Sequence, residues 1–482
     1  MAFTRRSFLR AAGVAAAAGA AGGPLILSRR AFGAPSFKAK RVIVVSIAGG
    51  LRLSESLGMA EGATLPNLFG DVPLVPGFGD VAAGPPKIAP EYAASMMPEI
   101  VLPAVRPTPL YTEGALVTNL RYAEGAPGHL QGGACLVSGA YNNIGNRADA
   151  HAPAPTLFEL HRRQANTAAT DAWYISNVPG FYRALQTSVH PEYGPRFGGS
   201  WMSPNGVMNP VVPITAGGTR SLTFDGPNTK LPTVDDRPEE IAAVRRMAAV
   251  LDGNSAPWGD DGVFRGTPTE NSAIEGHLAS IFADPTYGSF YPPTYGIGIV
   301  GNNGQLQATG DGATMYHAEQ ILKKFMPAVM VVSLIDIDMC HDDFNAYLWA
   351  QTIADALVTH LWDTIQSTDG LRDETALLVV PEHGRQLFFN GKNPDSLGRS
   401  GLDHGGGDDG DRDVWMLALG PDFAPGVYEP TGVTQPGRTS GRFETIDAIM
   451  TAATLLGYGD AMKSNLERLE MRPGMVVEDI LA

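Results

Sequence analysis

The stretch Thr375–Gln386, TALLVVPEHGRQ, decides the fold because a strand ends there in a group of ionisable side chains. Five apolar residues, Ala376–Val380, run directly into Glu382, His383 and Arg385. A short apolar run bounded by Gly or Pro is typical of a buried strand in an α/β sheet. Polar groups that follow such a strand lie at the edge where these sheets bind ligands. The stretch therefore predicts a functional site.

Strands and helices alternate on both sides of this stretch. Apolar runs predict strands at 40–47, 327–338 and 412–421. The pattern predicts a long amphipathic helix at 342–368 and another helix within 442–460. Residues 110–141 are typical of a strand, a loop and a short Gly-rich helix. Such alternation indicates an α/β fold with a mainly parallel sheet sandwiched between helices.

The middle of the chain, 150–315, lacks this alternation and is rich in turn signals. We expect it to be a loop-rich insertion or cap, with one helix at Pro238–Leu251. On this interpretation, 35–149 and 316–482 are the first and second parts of a single α/β domain.

The first 34 residues are typical of an export signal. Arg5 and Arg6 precede Ser-Phe-Leu, an Ala/Gly-rich stretch follows, and a small-x-small cleavage pattern lies at 31–33. The adjacent arginines favour the twin-arginine route over an ordinary secretory signal or an uncut anchor. Residues 1–34 are therefore expected to direct the protein to the periplasm or the extracellular space.

The charge balance limits the partners. The chain of 482 residues carries a net charge of −15, or about −20 without the five arginines of the signal. Such an acidic protein is not expected to bind nucleic acid or anionic lipid as its main partner. No apolar run after the signal is long enough to predict a membrane span. Cys135 and Cys340 could pair in an oxidising compartment, although we expect two buried thiols.

Three sets of polar residues follow or precede strands. Asp338 and His341 come after one strand, Glu382 and His383 after another, and His404 lies in the acidic loop GLDHGGGDDGDRD before a third. Taken alone, that loop could be a solvated loop or a calcium site. Three sets at strand ends instead favour a divalent-metal site, since zinc takes nitrogen and oxygen ligands of this kind.

Five segments in this order resemble the alkaline phosphatase and sulfatase superfamily: VVSIAGGLR, GHLQGGACLVSG, DIDMCH, VVPEHGR and GLDHGGG. The resemblance covers about half of the chain that remains after the signal, and 150–315 lies outside it. EHGR with the downstream GLDHG also resembles an exported family known only as domain of unknown function 1501. The resemblance implies an alkaline-phosphatase-like fold and a metal-dependent ester hydrolase.

The resemblance also implies ligands for two metal ions, zinc or, alternatively, calcium. Asp338, His341 and His404 would hold one ion, and Glu382 and His383 would hold or border the second. The spacing from Asp338 to His341 is one residue shorter than in the superfamily, so the neighbouring acids at 336 and 342 are alternative ligands.

Two positions depart from the superfamily pattern. No acid follows the first strand, where Ala48-Gly49-Gly50 stand instead of the usual metal-binding Asp. His129 falls at the position of the nucleophile, which is Cys or Ser in sulfatases and Ser or Thr in phosphatases. His129 could act as an imidazole nucleophile, an additional metal ligand or a general base. Neutral imidazole cannot replace an alkoxide that bridges two metal ions.

Other candidates for chemistry are a cation and three hydroxyl groups. Arg385 could bind the anionic group of a substrate, or form a salt bridge to an acid of 403–413. Candidate hydroxyl groups are those of Ser54, Ser56 and Thr118.

Two functions agree with these patterns. The first is an exported metal-dependent hydrolase of a phosphate or sulfate ester, with a small or polysaccharide-linked substrate. The second is a catalytically inactive protein of the envelope that keeps the scaffold and binds or assembles a protein partner. The candidate ligands favour the first function, and His129 with the missing acid favours the second.

Overall fold

The computed structural model describes most of the chain from residue 37 onwards. The described residues are 37–57, 64–70, 88–92, 105–142, 144, 150–178, 182–193, 195–203, 212–214, 218–220, 266–283, 298–300 and 306–482. The export signal predicted at 1–34 and the helix predicted at Pro238–Leu251 lie outside them.

One large sheet lies at the centre of the protein. Within the described residues, the strands are β1 (Arg41–Ile47), β2 (Ala115–Arg121), β3 (Ala172–Ser176), β4 (Ser200–Met202), β5 (Val212–Ile214), β6 (Gly218–Arg220), β7 (Gly298–Val300), β8 (Leu306–Ala308), β9 (Val329–Leu334), β10 (Thr375–Pro381), β11 (Asp413–Leu419) and β12 (Gly426–Tyr428). Strands β5–β6 and β7–β8 form two separate antiparallel pairs.

Helices connect and cover the strands. The described α-helices are α1 (Leu53–Ser56), α2 (His129–Ser138), α3 (Leu157–Ala165), α4 (Pro268–Ala283), α5 (Gly310–Phe325), α6 (Phe344–Ser367), α7 (Asp409–Arg412), α8 (Thr445–Leu455) and α9 (Gly459–Arg468). A 3₁₀ helix, Asp336–His341, follows β9 directly. The predicted long helix corresponds to α6, whose N-cap Asp343 accepts two backbone N–H groups.

The large sheet has eight strands in the order β12-β2-β11-β10-β1-β9-β3-β4. Neighbouring strands are parallel except on either side of β11, which runs antiparallel to both β10 and β2. Helices α5 and α6 pack on one face, and α2, α3 and α8 contact strands from the other. The predicted α/β fold with a mainly parallel sheet between helices is confirmed.

The segment 150–315 differs from the expected insertion in its first part. Strands β3 and β4 belong to the large sheet, where β3 pairs with β9 in parallel register from Ala172↔Val329 to Ser176↔Ser333. These two strands are short and separated by turns, so they show no periodicity that a sequence pattern could detect. The strand character of β3 comes from pairing with β9, which lies more than a hundred residues away in the chain, and β4 in turn pairs with β3.

Alternate side chains of the strands fill the two faces of the sheet. Ile43, Val45 and Ile47 of β1 join one apolar cluster with residues of α5 and α6. Val42 and Val44 are equally buried and point to the opposite face. Because both faces of β1 are covered, its sequence is a continuous apolar run instead of an alternating one.

Two further findings concern the described residues alone. Cys135 and Cys340 are both buried free thiols, as expected. None of the described helices combines the length and the apolar character needed to cross a bilayer.

Candidate metal centre

The fold brings the predicted site residues to one edge of the sheet. Strands β1, β9 and β10 are parallel, so the segments that follow them emerge at the same edge. Because β11 runs in the opposite direction, the loop that precedes it, with His404, also lies there. His129 is the first residue of α2, which follows β2, and β2 ends at this edge as well.

Two sets of side chains are close enough to hold a metal ion. His129, Asp338, His341 and His404 each offer a ligand atom within 4.8 Å of the others, and His129, Glu382 and His383 form a second, fully buried set. The set that contains Asp338 and His341 includes neither of the neighbouring acids, 336 and 342. His129 belongs to both sets.

Three imidazoles of the first set are oriented through Nδ1. His129 Nδ1 lies 2.7 Å from Glu382 Oε1 and His341 Nδ1 lies 2.8 Å from Asp403 Oδ1. His404 Nδ1 donates to the carbonyl oxygen of Pro127 at 3.1 Å. Imidazoles that bind metals are usually held this way, with one nitrogen bonded to a carboxylate or carbonyl and the other on the metal. The three Nε2 atoms are therefore the candidate ligand atoms.

The Nε2 atoms meet around Asp338. His129 Nε2 lies 3.2 Å from His404 Nε2 and 3.2 Å from Asp338 Oδ1, and His341 Nε2 lies 3.3 Å from the same oxygen. A carbonyl only accepts, so His404 carries its proton on Nδ1 and presents a lone pair on Nε2. At 3.2 Å, the lone pairs of His404 Nε2 and His129 Nε2 would repel each other unless a proton or a metal cation lay between them.

The protonation of His129 agrees with this need for positive charge. Although burial opposes it, hydrogen bonds to Asp338 and Glu382 raise the pKa of His129 to about 9. Burial, with the charges of His383 and Arg385, lowers the pKa of His404 to about 2. In the absence of metal, we therefore expect a protonated His129, whose Nε2–H can donate to Asp338 or to His404.

Glu382 is buried at the floor of the site and is held by three donors. The backbone N–H of Gly49 and the Nδ1–H of His129 donate to Oε1, at 2.9 and 2.7 Å. The Tyr182 hydroxyl lies 3.2 Å from Oε1 and 3.1 Å from Oε2. Although burial opposes it, the hydrogen bond from His129 and the nearby His383 imidazole lower the pKa of Glu382 to about 2. Sequence patterns missed Tyr182, because it lies in the segment whose strands were also missed.

His383 has one ring nitrogen without a hydrogen bond. Its Nδ1 donates to the carbonyl of Gly384 at 2.8 Å, so Nε2 carries the lone pair. That nitrogen is fully buried, makes no hydrogen bond to the described residues and lies 3.4 Å from Glu382 Oε1. An acceptor nitrogen that faces a carboxylate oxygen is a suitable place for a cation.

Arg385 differs from its expected role. Its guanidinium is fully buried and donates to the carbonyl oxygens of Gly49 and Leu402 and to Asp338 Oδ1, the last at 2.6 Å. It therefore neither faces the open side of the site nor pairs with the acidic loop 403–413. The guanidinium compensates the charge of Asp338 together with the imidazole of His129, since both are buried beside that carboxylate.

Two glycines explain why no acid follows the first strand. Gly49 and Gly50 have φ of +98° and +81°, which side chains other than glycine rarely adopt. A Cβ atom on Gly49 would lie 2.7 Å from the backbone nitrogen of Asp338, and one on Gly50 would lie 2.5 Å from His383 Nδ1. The turn after β1 thus packs directly against the site, and neither glycine position has space for a ligand side chain.

We expect Gly50→Ala to destabilise the protein and to displace His383. The positive φ costs an alanine about 1–2 kcal/mol, and the overlap with His383 adds about 1–3 kcal/mol. Urea unfolding measures the free-energy difference. Gly391→Ala is the matched control, since Gly391 has φ of +79° with no atom near its Cβ position. Equal losses in the two variants would contradict the predicted contact.

The remaining candidates lie outside the cluster. Ser54 donates to Glu55, Ser56 to the Arg52 carbonyl, and Thr118 to the Tyr428 carbonyl. The Cys135 and Cys340 thiols are fully buried, and burial raises the pKa of Cys340 to about 12. None of these groups is placed to act as a nucleophile at the metal centre.

One side of the cluster is open. The side chains of Asp338, His341 and Asp403 are 29%, 31% and 37% exposed, whereas Glu382 and His383 are fully buried. A small anionic group can therefore approach the first ligand set and not the second. The carboxylates of Asp338, Glu382 and Asp403 outnumber the cations Arg385 and protonated His129, so the site carries a net negative charge that suits a divalent cation.

Comparisons with known proteins give distant structural neighbours only. No family model matches the sequence, and no curated protein matches it. Wild-type alkaline phosphatase PafA is similar to this chain with 9% identity over 94% of this chain and 100% of that one, with a TM-score of 0.41. A 2-O GAG sulfatase has 11% identity over 86% and 70%, with a TM-score of 0.39. The lipoteichoic acid synthase LtaP from Listeria monocytogenes has 11% identity over 88% and 74%, with a TM-score of 0.37.

Proposed function

We propose that this protein is a metal-dependent hydrolase of phosphate or sulfate esters, with a metal ion held by His129, Asp338, His341 and His404. One observation carries the proposal. The three imidazoles have Nδ1 engaged by Glu382, Asp403 and a backbone carbonyl, so that their Nε2 atoms face one position beside Asp338.

The donor set favours zinc over calcium. Calcium takes six to eight oxygen ligands, whereas zinc accepts imidazole nitrogens and carboxylates in small numbers. The first ligand set provides three nitrogens and one carboxylate oxygen. When bound, a zinc ion would polarise the ester oxygen and lower the pKa of a coordinated water.

The surrounding residues have distinct tasks in this proposal. Glu382 and Asp403 orient His129 and His341, and Arg385 holds Asp338 in place. The anionic ester needs a cation that solvent can reach, and Arg385 is buried. Lys392 is 53% exposed and its Nζ lies 4.0 Å from Asp403 Oδ1, so it is suited to attract the anion to the open side.

Glu382 and His383 are proposed to border this ion and to offer a second, weaker position. The Nε2 atom of His383 supports the second position, because it makes no hydrogen bond to the described residues and lies 3.4 Å from Glu382 Oε1. Because no acid follows β1 and His129 Nδ1 already bonds Glu382, this position has fewer ligands than the first. A one-metal enzyme is the form of the proposal that these contacts favour.

The location and the substrate are proposed from the sequence. Residues 1–34 are proposed to export the chain by the twin-arginine route to the periplasm or beyond. The substrate is proposed to be an anionic ester, either small or attached to a polysaccharide.

A catalytically inactive envelope protein with a structural metal is the second candidate. Four protein ligands around one zinc ion are typical of structural sites, whereas catalytic sites keep an open position. His129 at the expected nucleophile position, without a cysteine or serine, favours this candidate. The hydrolase needs such an open position. It would have one if Asp338 stayed bound to Arg385, since the three imidazoles would then be the protein ligands and water could take the fourth position.

Hydrolysis of p-nitrophenyl phosphate, bis-p-nitrophenyl phosphate and p-nitrophenyl sulfate by zinc-loaded protein tests the proposal. We expect turnover of at least one ester, with a loss of at least about 100-fold in His341→Ala because a ligand is removed. His360→Ala, which alters a histidine bonded to Glu319 outside the cluster, is expected to keep the activity. Wild-type turnover no faster than that of His341→Ala would favour the inactive envelope protein.

A further inference from the structure

We propose that Tyr182 is a positioning residue of the metal centre. Its hydroxyl holds the carboxylate of Glu382, and Glu382 in turn orients His129 toward the metal. The inference rests on the proposed metal site and names a residue that no sequence pattern indicated.

The donors divide unequally between the two oxygens of Glu382. Oε1 receives the backbone N–H of Gly49 and the Nδ1–H of His129. Among the described residues, the hydroxyl of Tyr182 is the donor that reaches Oε2, at 3.1 Å. The carboxylate is fully buried, so Oε2 depends on Tyr182 for its hydrogen bond.

Packing holds the ring of Tyr182 in place. The ring is fully buried and lies 6.0 Å from that of Tyr174. A Cβ atom on Gly133 would lie 3.0 Å from Tyr182 Cδ1, and one on Gly132 would lie 2.9 Å from Glu382 Cβ. The two glycines let α2, which begins at His129, pack closely against both Glu382 and Tyr182.

Loss of the hydroxyl would leave Oε2 as a buried acceptor without a donor. The carboxylate would then turn to find another partner, and Oε1 would no longer fix Nδ1 of His129. A ligand whose second nitrogen is not held binds metal more weakly, because ordering the ring then costs free energy on binding. The effect of Tyr182 should therefore be measurable as metal affinity, and it should depend on Glu382.

The experiment compares Tyr182→Phe with Tyr174→Phe. Each change removes one hydroxyl from a buried tyrosine in the same aromatic group, but that of Tyr174 contacts Ser333 instead of the cluster. Zinc affinity of the chelator-stripped full-length protein is measured by competition with a chromophoric chelator. The absorption spectrum of the cobalt-substituted protein reports the geometry of the site independently of activity.

We expect Tyr182→Phe to weaken zinc binding about tenfold and to change the cobalt spectrum, and Glu382→Gln to weaken binding about 10–100-fold. Tyr174→Phe should leave both readouts unchanged. In the double variant Tyr182→Phe/Glu382→Gln, binding should equal that of Glu382→Gln alone, because Tyr182 acts through the carboxylate. If Tyr182→Phe alone does not fold, the comparison of the double variant with Glu382→Gln tests whether Tyr182 acts through the carboxylate.

The outcomes separate this inference from the proposed function. No binding of zinc or cobalt by the wild type would overturn the metal centre itself. Wild-type binding with an unchanged Tyr182→Phe would overturn the positioning role alone. Equal losses in Tyr182→Phe and Tyr174→Phe, or additive losses in the double variant, would also overturn it, since a general loss of packing gives those results.

Discussion

His404→Ala is expected to remove the bound divalent ion from the purified protein. The His404 ring lies 4.6 Å from that of His129 and 4.9 Å from that of His341, so it is central to the first ligand set. Changes to residues that only orient ligands typically cost about 10–100-fold in affinity, so loss of a ligand should cost more than about 100-fold. Plasma mass spectrometry of protein purified without chelators gives the ions per chain.

Three results of this measurement differ in meaning. About one ion per wild-type chain and none in His404→Ala agrees with the first ligand set as the metal site. Two ions per wild-type chain would mean that Glu382 and His383 hold the second. A wild-type chain without metal would contradict the proposed hydrolase. His360→Ala is the control for a histidine change and is expected to keep the ion, since His360 bonds Glu319 outside the cluster and Glu319 keeps its hydrogen bond from Thr364.

Arg385→Met is expected to lower the free energy of unfolding by about 3 kcal/mol in the metal-free protein. Breaking a buried ion pair from one side costs about 3–5 kcal/mol, and the partial exposure of Asp338 (29%) places the effect at the lower end. The carbonyls of Gly49 and Leu402 also lose their donor. Urea unfolding with and without zinc measures the change.

The loss of unfolding free energy in Arg385→Met is also expected to depend on bound metal. A bound divalent cation would compensate Asp338 in place of the guanidinium, so the loss should be smaller with zinc than without it. Arg106→Met is the control, since Arg106 pairs with Glu113 and Asp363 at the surface, where such pairs contribute about 0–1 kcal/mol. A loss in Arg385→Met as small as that of the control would mean that Asp338 needs no buried cation.

The sequence placed most of the candidate ligands at strand ends, because strand ends can be read locally. Asp338, His341, Glu382 and His383 directly follow apolar strands, and the parallel order of β1, β9 and β10 brings them together. His404 was found by its place before a strand. Chain order and apolar runs are local signals, so they are visible without coordinates.

Which side chain does what was decided by the tertiary structure. Arg385 was expected to bind an anion or to pair with an acid of 403–413, but burial and three acceptors make it the partner of Asp338. His129 was an open question in the sequence, and its contacts with Glu382, Asp338 and His404 make it a candidate ligand. Hydrogen-bond partners distant in sequence leave no periodic signal.

The sequence by itself determined the α/β class, the strands β1, β9, β10 and β11, the helix α6 and the edge at which the polar residues gather. Only the tertiary structure decided the membership of β3 and β4 in the sheet, the contact of Tyr182 with Glu382, and the glycine turn that excludes an acid after β1. Hydrophobic periodicity is fixed by neighbours along the chain, whereas pairing, close approach and donor sharing depend on residues far apart in sequence.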